Sequence, residues 1–396
     1  MGEWSDGCQV DFALSGRSMT PAVLRNSMGM IRESLGMRCE FLGPDSSLWS
    51  RFLADSTHDF YHLPKYVELS TRDRLCAPDA NGKCLAFHAE DDDGHRFLAT
   101  LIIRPLPASC ESSTPLFDAI TPYGYAAPLL INSGSGPIEP FLDEAIVQFA
   151  EGLRAQGVVS AFVRSHPTIP LPMETLQKFG CVVQHGQTVY IDLTQPHEEL
   201  WHQTRAGHRS EINRARKKGF TVEIQSDWKD FEEFFRAYTE TMRRVSANEH
   251  YFFPREYFTQ LREAIGDVLH LAICHKDGVV TCGGIFSEVC GIVQYHLSGT
   301  TEEFHSQYPT KVMLDAVRTW AKERGNQTMH LGGGYGGTED SLFAFKAGFS
   351  HYRAPFYTWR LISDPSNYQR LCQQWEARTG KAASAPDGFF PAYRAP

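Results

Sequence analysis

The sequence lacks any long apolar run and any basic segment that leads into an apolar one near its start. Nowhere among its 396 residues do about 18 apolar residues follow one another, which is the length that a membrane-spanning helix needs. The first residues instead include Glu3, Asp6 and Asp11, which is not the pattern of a secretion signal. We therefore predict a cytoplasmic protein without a membrane span.

Local spacings that are typical of metal sites and redox pairs are also missing. The ten cysteines include no C-x-x-C pair, and the sixteen histidines include no H-E-x-x-H motif. Cysteines without such spacing are usually reduced and buried, and zinc ligands usually show a recognisable local spacing. We predict no metal site.

Basic residues are in the minority, with 38 Lys and Arg against 47 Asp and Glu, which gives a net charge of −9. Such a chain is a poor indiscriminate binder of nucleic acid. One segment, residues 205–218, has the opposite balance, with a single acidic residue, Glu211. This basic segment can contact phosphates or form the solvated face of a helix. Its six basic residues are Arg205, Arg209, Arg214, Arg216, Lys217 and Lys218.

A glycine-rich stretch near the end, residues 329–349, has the order strand, glycine turn, helix. Five of the six residues from 332 to 337 are glycine, and Thr338, Asp340 and Ser341 are all good N-cap residues. Backbone N–H groups beside a helix N-terminus can bind an oxyanion or a carbonyl oxygen. The alternative is a loop that only turns a strand into a helix.

The same glycines fit two nucleotide-binding patterns poorly. Gly332, Gly334 and Gly337 match G-x-G-x-x-G, but a dinucleotide fold requires a longer βαβ continuation than the single strand that follows. No Gly-Lys-Ser or Gly-Lys-Thr closes the run, so it is not a Walker phosphate loop either.

The chain length and the order of elements predict two domains of one kind, because a domain typically has ~100 to 200 residues. Strands are predicted at 84–90, 95–103, 158–163, 221–224, 268–275, 279–287, 291–298 and 328–331, and helices at 141–156, 198–218, 228–245 and 308–324. Each half reads as hairpin strands, a helix and a strand, which indicates two tandem α+β domains. The predicted ranges are 1–36 for a loosely ordered lead-in, 37–194 and 195–375 for the two domains, and 376–396 for a polar tail.

Both halves of the chain contain short motifs that can be compared with known families. In the first half they are Tyr61-His-Leu-Pro-Lys-Tyr66 and Tyr123-Gly-Tyr125, and in the second half they are the segment from Arg209 to Phe220, Tyr295-His-Leu-Ser-Gly299, Tyr308-Pro-Thr-Lys, Leu331-Gly-Gly-Gly334 and Phe345-Lys346-Ala-Gly-Phe349. Their residues and their order resemble those of the Fem family of non-ribosomal peptidyl transferases. The resemblance implies two GNAT-like acyltransferase domains with mixed sheets flanked by helices. The first domain would serve the acceptor and the second the donor.

The resemblance also implies a reaction, in which an aminoacyl group passes from aminoacyl-tRNA to an amine. The acceptor would be a small peptide-like or nucleotide-linked amine, from a peptidoglycan precursor or a natural product, and no cofactor would be needed. The chain has no heptad insertion of the kind that forms a coiled-coil arm in some Fem enzymes. It also has no Q/R-x-x-G-x-G/A loop before residues 308–324, which favours tRNA over acyl-coenzyme A as donor. A coenzyme A-dependent N-acyltransferase and a non-catalytic tRNA- or peptide-binding module remain the alternatives.

Candidate site residues follow from the matched motifs. Lys346 would stabilise negative charge on the acyl carbonyl, and Tyr295 would face the site, with core packing as its alternative. His62 is a candidate general base, although substrate-assisted proton transfer would make a base unnecessary. The basic segment would bind tRNA. The candidates for substrate binding are Tyr61, His62, Lys65, Tyr123, Tyr125, Arg243, Arg244, Gly333 and Gly334. Packing is the alternative for the aromatic residues, and helix C-terminal capping is the alternative for Arg243 and Arg244, which are chosen for their position at a helix end before an aromatic loop.

Overall fold

The computed structural model describes residues 31–34, 36–72, 76, 82–107, 110, 112, 114–133 and 136–396. The lead-in predicted for residues 1–36 lies mostly outside these ranges, although residues 31–34 form a strand. In the first half the elements are β1 (Ile31–Ser34), β2 (Met37–Leu42), α1 (Ser47–Ala54), α2 (Pro64–Ser70), β3 (Lys83–Glu90), β4 (Arg96–Pro105), β5 (Phe117–Ile120), β6 (Leu129–Ile131), α3 (Glu139–Ala155), β7 (Val158–Arg164), α4 (Met173–Lys178) and β8 (Cys181–Asp192).

The second half repeats the mixture of helices and strands. Its elements are α5 (His197–Gln203), α6 (Ala206–Lys217), β9 (Thr221–Gln225), α7 (Phe231–Arg244), α8 (Arg255–Ile265), β10 (Leu269–Lys276), β11 (Val279–Val289), β12 (Ile292–Thr300), α9 (Pro309–Glu323), β13 (Thr328–Gly332), α10 (Ser341–Lys346), β14 (Arg353–Ile362) and α11 (Pro365–Thr379). The predicted α+β fold of mixed sheet and flanking helices is confirmed.

The strands of the described residues form one continuous sheet. Its order is β1-β2-β3-β4-β5-β7-β14-β8-β13-β12-β11-β10-β9, with β6 paired to β4. Two neighbouring pairs are parallel, β5 with β7 and β12 with β13, and the other pairs are antiparallel. Each half therefore has the same arrangement of strands around one parallel pair.

The halves exchange their last strands at the centre of the sheet. β14, which comes late in the chain, pairs with β7 of the first half. β8, which precedes the second half, pairs with β13. The two exchanged strands also pair with each other along most of their length. This exchange joins the halves through backbone hydrogen bonds, while the domain boundary after residue 194 stays a prediction.

Alternation along the second-half strands separates two cores. In β10, Leu271 and Ile273 pack on the side of α7 and α8, whereas Ala272 and Cys274 pack on the side of α6 and α9. Successive side chains of a strand point to opposite faces, so one strand supplies both layers. The sheet is covered by helices on both faces.

The parallel pair β12 and β13 separates after a short stretch of pairing. Three pairs are made, ending at Gln294 and His330. β12 continues to Thr300 beside β11, whereas β13 ends at Gly332. A wedge therefore opens between the two strands beyond Gln294 and His330, and the site described below lies at this wedge.

One sequence prediction needs correction here, and the last segment of the chain gains a packed end. The helix predicted over residues 198–218 is two helices, because the chain leaves α5 after Gln203 and Arg209 donates to the carbonyl oxygen of His202 at 2.9 Å. The segment 376–396 is polar in composition, but its end is not a free tail. Tyr393 is buried and its hydroxyl lies 2.9 Å from that of Ser160 on β7.

None of the helices in the described part of the chain is both long enough and apolar enough to cross a membrane.

Candidate functional site

Lys346 is the last residue of α10 and lies beside the glycine turn. Its side chain is buried, and Nζ donates a hydrogen bond of 2.7 Å to the carbonyl oxygen of Gly333. Burial lowers the pKa of Lys346 from 10.5 to about 8, and the carboxylate of Asp340 partly opposes this shift. A buried ammonium with one neutral partner is available to stabilise negative charge on a bound group.

The N-terminus of α10 is already occupied by its own cap. The Asp340 carboxylate accepts from the N–H of Phe343 at 2.9 Å and from the N–H of Tyr335 at 3.1 Å. An oxyanion at this helix end would meet that carboxylate, which favours the alternative of a loop that only turns a strand into a helix. A Cβ on Gly334 would lie 2.0 Å from the oxygen of Thr338, so Gly334 serves the close turn.

Tyr125 is the residue of the first half that lies beside Gly332, next to Lys346. Its hydroxyl lies 3.2 Å from where a Cβ on Gly332 would be, and Lys346 Nζ lies 3.3 Å from the same point. Burial raises the pKa of Tyr125 to about 12, and the N–H of Gly333 moderates the shift by hydrogen bonding. Tyr125 therefore stays protonated and polar within reach of the ammonium. Glycine at 332 leaves open the space that these two side chains share.

The ring of Tyr61 packs against the ring of Tyr125. The two rings pack edge to face with centroids 5.8 Å apart, and Tyr61 is 2% exposed. Between them Gly124 has φ of +107°, and a Cβ there would lie 2.0 Å from Tyr61. Glycine is required at 124 both for the positive φ and for the close approach of the Tyr61 ring.

His62 is a structural residue and not a free base. Its Nδ1 accepts from the N–H of Asp59 at 3.1 Å, and its Nε2 donates to the oxygen of Ala127 at 3.0 Å. Burial lowers the pKa of His62 to about 3. Both ring nitrogens are engaged, so the structure gives His62 the role of holding the loop that carries Tyr125.

Tyr123 lies at the rim, where three loops meet. Its ring centroid is 6.4 Å from that of Tyr251, which lies 6.2 Å from that of Tyr335 on the glycine loop. Tyr335 is 61% exposed. The three tyrosines come from the first half, from the turn between α7 and α8, and from the glycine loop, and they form an aromatic rim.

Tyr295 packs into the core of the second half. Its ring stacks on Phe286 with centroids 5.2 Å apart, and its hydroxyl bonds to that of Ser298. None of the described contacts joins Tyr295 to Lys346. The next residue, His296, faces the first half instead and packs 6.3 Å from Tyr61. Because successive side chains of β12 point to opposite faces, His296 and not Tyr295 points toward the first half.

Two of the three charged residues predicted to bind substrate are used elsewhere. Lys65 is an exposed residue of α2 that pairs with Glu68 at 3.0 Å. Arg244 donates to the oxygen of Thr300 at 3.1 Å and ties α7 to β12. Arg243 is exposed and has no ion-pair partner among the residues that the structure describes.

The basic segment divides into residues that hold the fold and residues that face solvent. Arg209 donates to carbonyl oxygens at the end of α5, Arg216 pairs with Asp315 at 2.6 Å, and Arg205 contacts His208 at 3.3 Å. In the described chain the remaining three are exposed and make no ion pair, and they lie at the C-terminal end of α6: Arg214, Lys217 and Lys218.

Sequence reasoning missed a buried polar group beside the site. His166 Nε2 donates to the Asp59 carboxylate at 3.1 Å, and both side chains are fully buried. The ring of His330 lies 6.1 Å from that of His166 and 4.8 Å from that of Tyr125. The available signal was His330 itself, an ionisable residue in a strand that otherwise reads as buried.

One further group of possible metal ligands occurs in the described residues. Ligand atoms of Asp91, Asp93 and His95 lie within 4.8 Å of one another at the turn between β3 and β4. His95 Nδ1 contacts the Asp91 carboxylate at 2.9 Å, and this hydrogen bond closes the hairpin. The turn accounts for the grouping without an ion.

Comparison with known proteins gives a family match within the second half of the chain. Residues 202–346 match the family model of an acetyltransferase (GNAT) domain. A UDP-N-acetylmuramoylpentapeptide-lysine N(6)-alanyltransferase from Weissella viridescens is 25% identical over 167 residues, which are 41% of this chain and 48% of that protein. The chain thus matches about half the length of this curated relative.

Solved structures extend the likeness to both halves. The crystal structure of FemX has a TM-score of 0.63 at 15% identity and covers 84% of this chain and 99% of its own. The structure of L-PGS from Bacillus licheniformis has a TM-score of 0.50 at 15% identity, with 80% and 92% covered. At such identities the likeness concerns the fold, and it agrees with the motifs found in the sequence. Residues 202–346 thus match a GNAT-type acetyltransferase domain, and the fold of the chain as a whole is similar to that of FemX.

Proposed function

We propose that this protein transfers an aminoacyl group from aminoacyl-tRNA to an amine and so forms an amide bond. The observation that carries the proposal is the buried Lys346 ammonium, held by Gly333 and facing Tyr125 of the other half. An ester of an amino acid is already activated, so the enzyme needs to orient the amine and stabilise the oxyanion of the tetrahedral intermediate. Lys346 supplies that stabilisation.

The loop before α9 supports tRNA over coenzyme A as donor. In GNAT enzymes that use coenzyme A, this loop holds the pyrophosphate, and here it has the sequence Thr-Glu-Glu-Phe-His-Ser-Gln-Tyr from residue 301 to 308. Glu302 and Glu303 are both exposed. Two carboxylates and no glycine would repel a pyrophosphate rather than hold it. The exposed Arg214, Lys217 and Lys218 offer tRNA phosphates a different surface.

The acceptor side is formed by the first half. Tyr123 and Tyr125 bring aromatic and hydroxyl surface to the wedge, and the buried Tyr61 packs against Tyr125. Arg243, which is exposed and makes no ion pair within the described ranges, can bind a phosphate or carboxylate. The Weissella viridescens relative is named for transfer to the lysine of a UDP-linked muramoyl pentapeptide. A primary amine on such a peptidoglycan precursor is therefore the acceptor we propose, with a peptide-like natural product as the other source of the same chemistry.

A coenzyme A-dependent N-acyltransferase is the second candidate, because the matching family model describes an acetyltransferase. The test supplies the purified protein with a total pool of charged tRNA, or with acetyl-coenzyme A, and with candidate amines that include a lysine-containing UDP-muramoyl pentapeptide. Products are identified by mass spectrometry.

We expect an aminoacylated amine with charged tRNA, and its loss when the tRNA is first digested with ribonuclease. Acetylated product that survives ribonuclease would instead establish the second candidate. Binding of charged tRNA without any product would contradict both and identify a non-catalytic binding module.

A further inference from the structure

His330 stands at the apex of the wedge between β12 and β13. It forms the last pair of the two strands, with Gln294. Its neighbours Met329 and Leu331 both pack into the core on the side of α6 and α9, so His330 points to the opposite face. Gly332 follows two residues later, at the gap that Tyr125 and Lys346 line. The strand register shifts between His330 and Gly332, but Tyr125 both lines this gap and packs on the His330 ring with centroids 4.8 Å apart, so His330 lies on the same side of the sheet as the gap.

Hydrogen bonds determine which nitrogen of His330 carries the proton. The amide nitrogen of Gln294 donates to the oxygen of Tyr295 at 3.1 Å. The other end of that amide is therefore the carbonyl oxygen, Oε1, which lies 2.7 Å from His330 Nδ1. An oxygen only accepts, so Nδ1 donates and carries the hydrogen. Nε2 then has a free lone pair.

This lone pair has no partner in the described chain although the residue is fully buried. Leaving a buried polar atom unpaired is unfavourable, so such an atom usually marks a bound water or a function. The nearest described ring is Tyr125 at 4.8 Å. Nε2 points away from Gln294, because the two ring nitrogens lie on opposite sides of the imidazole.

We propose that His330 is a second catalytic residue, whose Nε2 accepts the proton of the attacking amine while Lys346 stabilises the oxyanion. The inference rests on the aminoacyl transfer proposed above. It assigns the two requirements of that reaction to two residues, Lys346 at the gap beside Gly332 and His330 behind Tyr125, which lines the same gap.

The step balances without any further reactant. The amine nitrogen forms a bond to the ester carbonyl carbon and becomes positively charged, while the carbonyl oxygen becomes an oxyanion near Lys346. The N–H proton passes to Nε2 and then to the ribose oxygen as the ester C–O bond breaks. The products are an amide and a free tRNA hydroxyl.

The surroundings keep His330 in the form that this step needs. Burial lowers the pKa of His330 well below 6.5, and His166 and Lys346 lower it further. The imidazole is therefore neutral at pH 7 with its lone pair free. Because the attacked amine nitrogen becomes cationic, it gives up its proton readily to a weak acceptor, and the weakly basic imidazole passes that proton on.

Two variants separate this role from a structural one. In H330N the side-chain amide can replace Nδ1 in the bond to Gln294, but nothing replaces Nε2. In H330Q the longer side chain brings its amide oxygen to the position of Nε2 and gives up the bond to Gln294. Single-turnover rates are measured for both with charged tRNA and acceptor, normalised to the folded fraction from circular dichroism. H88N, which changes a buried histidine of the first half, is the matched control.

We expect H330N and H330Q both to lose about 100-fold or more in rate with KM for the acceptor within about twofold, because a side-chain amide does not accept a proton at neutral pH, and H88N to be unaffected. A structural role predicts instead that H330N, which keeps the bond to Gln294, retains its rate while H330Q loses it. That outcome, or an H330N rate within about threefold of the unmodified protein, would overturn the inference while leaving the transfer reaction in place. Absence of transfer by the unmodified protein would instead refute the proposed function, and the inference with it.

Discussion

Lys346 Nζ donates a hydrogen bond of 2.7 Å to the carbonyl oxygen of Gly333. This contact joins the end of α10 to the turn that precedes it, so the ammonium cannot swing out toward solvent. The glycine run thus positions the lysine, and Gly332 leaves the space in front of it open. The cation, the turn and Tyr125 form a single unit across the two halves.

Replacing Lys346 with methionine removes the charge and keeps most of the volume. We expect the transfer rate to fall by about 100-fold or more, because one donor to an oxyanion is typically worth 10²–10³ in rate. The variant should be at least as stable as the original protein, since a buried ammonium is replaced by an apolar group. Single-turnover kinetics and thermal unfolding measure the two effects.

Lys178→Met is the control for this change, because Lys178 is an exposed residue of the first half that pairs with Asp143. It should alter neither rate nor stability appreciably. Near-full turnover by K346M would mean that the lysine does not act in the reaction.

The pH dependence of the rate should show the titration of Lys346. Its ammonium form is the active one, and its pKa is about 8. With donor and acceptor both saturating, we expect the rate to fall as pH rises through this value, after correction for spontaneous hydrolysis of the ester. A rate that keeps rising from pH 8 to 10 would argue against the charged lysine.

Stability should respond to the same lysine in the opposite direction. The pKa of Lys346 is about 8 in the folded protein and 10.5 when exposed, so between these values the unfolded chain binds more protons and folding becomes more favourable as pH rises. The free energy of unfolding should gain on the order of 3 kcal/mol over this interval relative to K346M. Equal pH profiles for the two proteins, measured by urea unfolding, would contradict the burial of the charge.

Donor binding should depend on the exposed end of α6. We expect the triple change of Arg214, Lys217 and Lys218 to alanine to weaken tRNA binding and to reduce the slope of log K against log salt by about 2 to 3, since each phosphate contact adds roughly 0.7 to 0.9. Filter binding at several salt concentrations measures this. Arg209→Ala should instead lower stability, because Arg209 donates to the end of α5. An unchanged salt slope in the triple variant would remove α6 from the tRNA surface.

The sequence predicted more of the fold than of the site. Hairpins and amphipathic helices follow from local periodicity, so β3, β4, β10, β11, α3 and α9 were found nearly at their observed bounds. The exchange of β8 and β14 was not predictable, because it depends on pairing between segments more than 150 residues apart. A strand pattern shows which side chains alternate but not which face meets a partner, and this is why Tyr295 was favoured over His296.

The site residues also divide into those that local motifs predict and those whose role depends on tertiary contacts. Lys346 and Tyr125 were predicted from short local motifs, and the structure places both side chains beside Gly332; their roles stay predictions. His62, Lys65 and Arg244 have the right chemistry, yet their partners Ala127, Glu68 and Thr300 engage them elsewhere. Such partners come from tertiary contacts that no local pattern records. His330 became visible only when its second nitrogen proved to be unpaired.

The turn at Gly124 offers a test of how the first half presents Tyr125. Gly124→Ala would place a Cβ 2.0 Å from the Tyr61 ring in a backbone with φ of +107°. Both effects are unfavourable, and overpacking alone typically costs about 1 to 3 kcal/mol. We expect a lower free energy of unfolding and a lower transfer rate, because Tyr125 is the next residue. Gly207→Ala is the control, since its Cβ would meet nothing within 4 Å in helix α6 and should stabilise the protein by up to about 1 kcal/mol. If Gly124→Ala lost stability but kept its full rate, Tyr125 would have no part in positioning the acceptor.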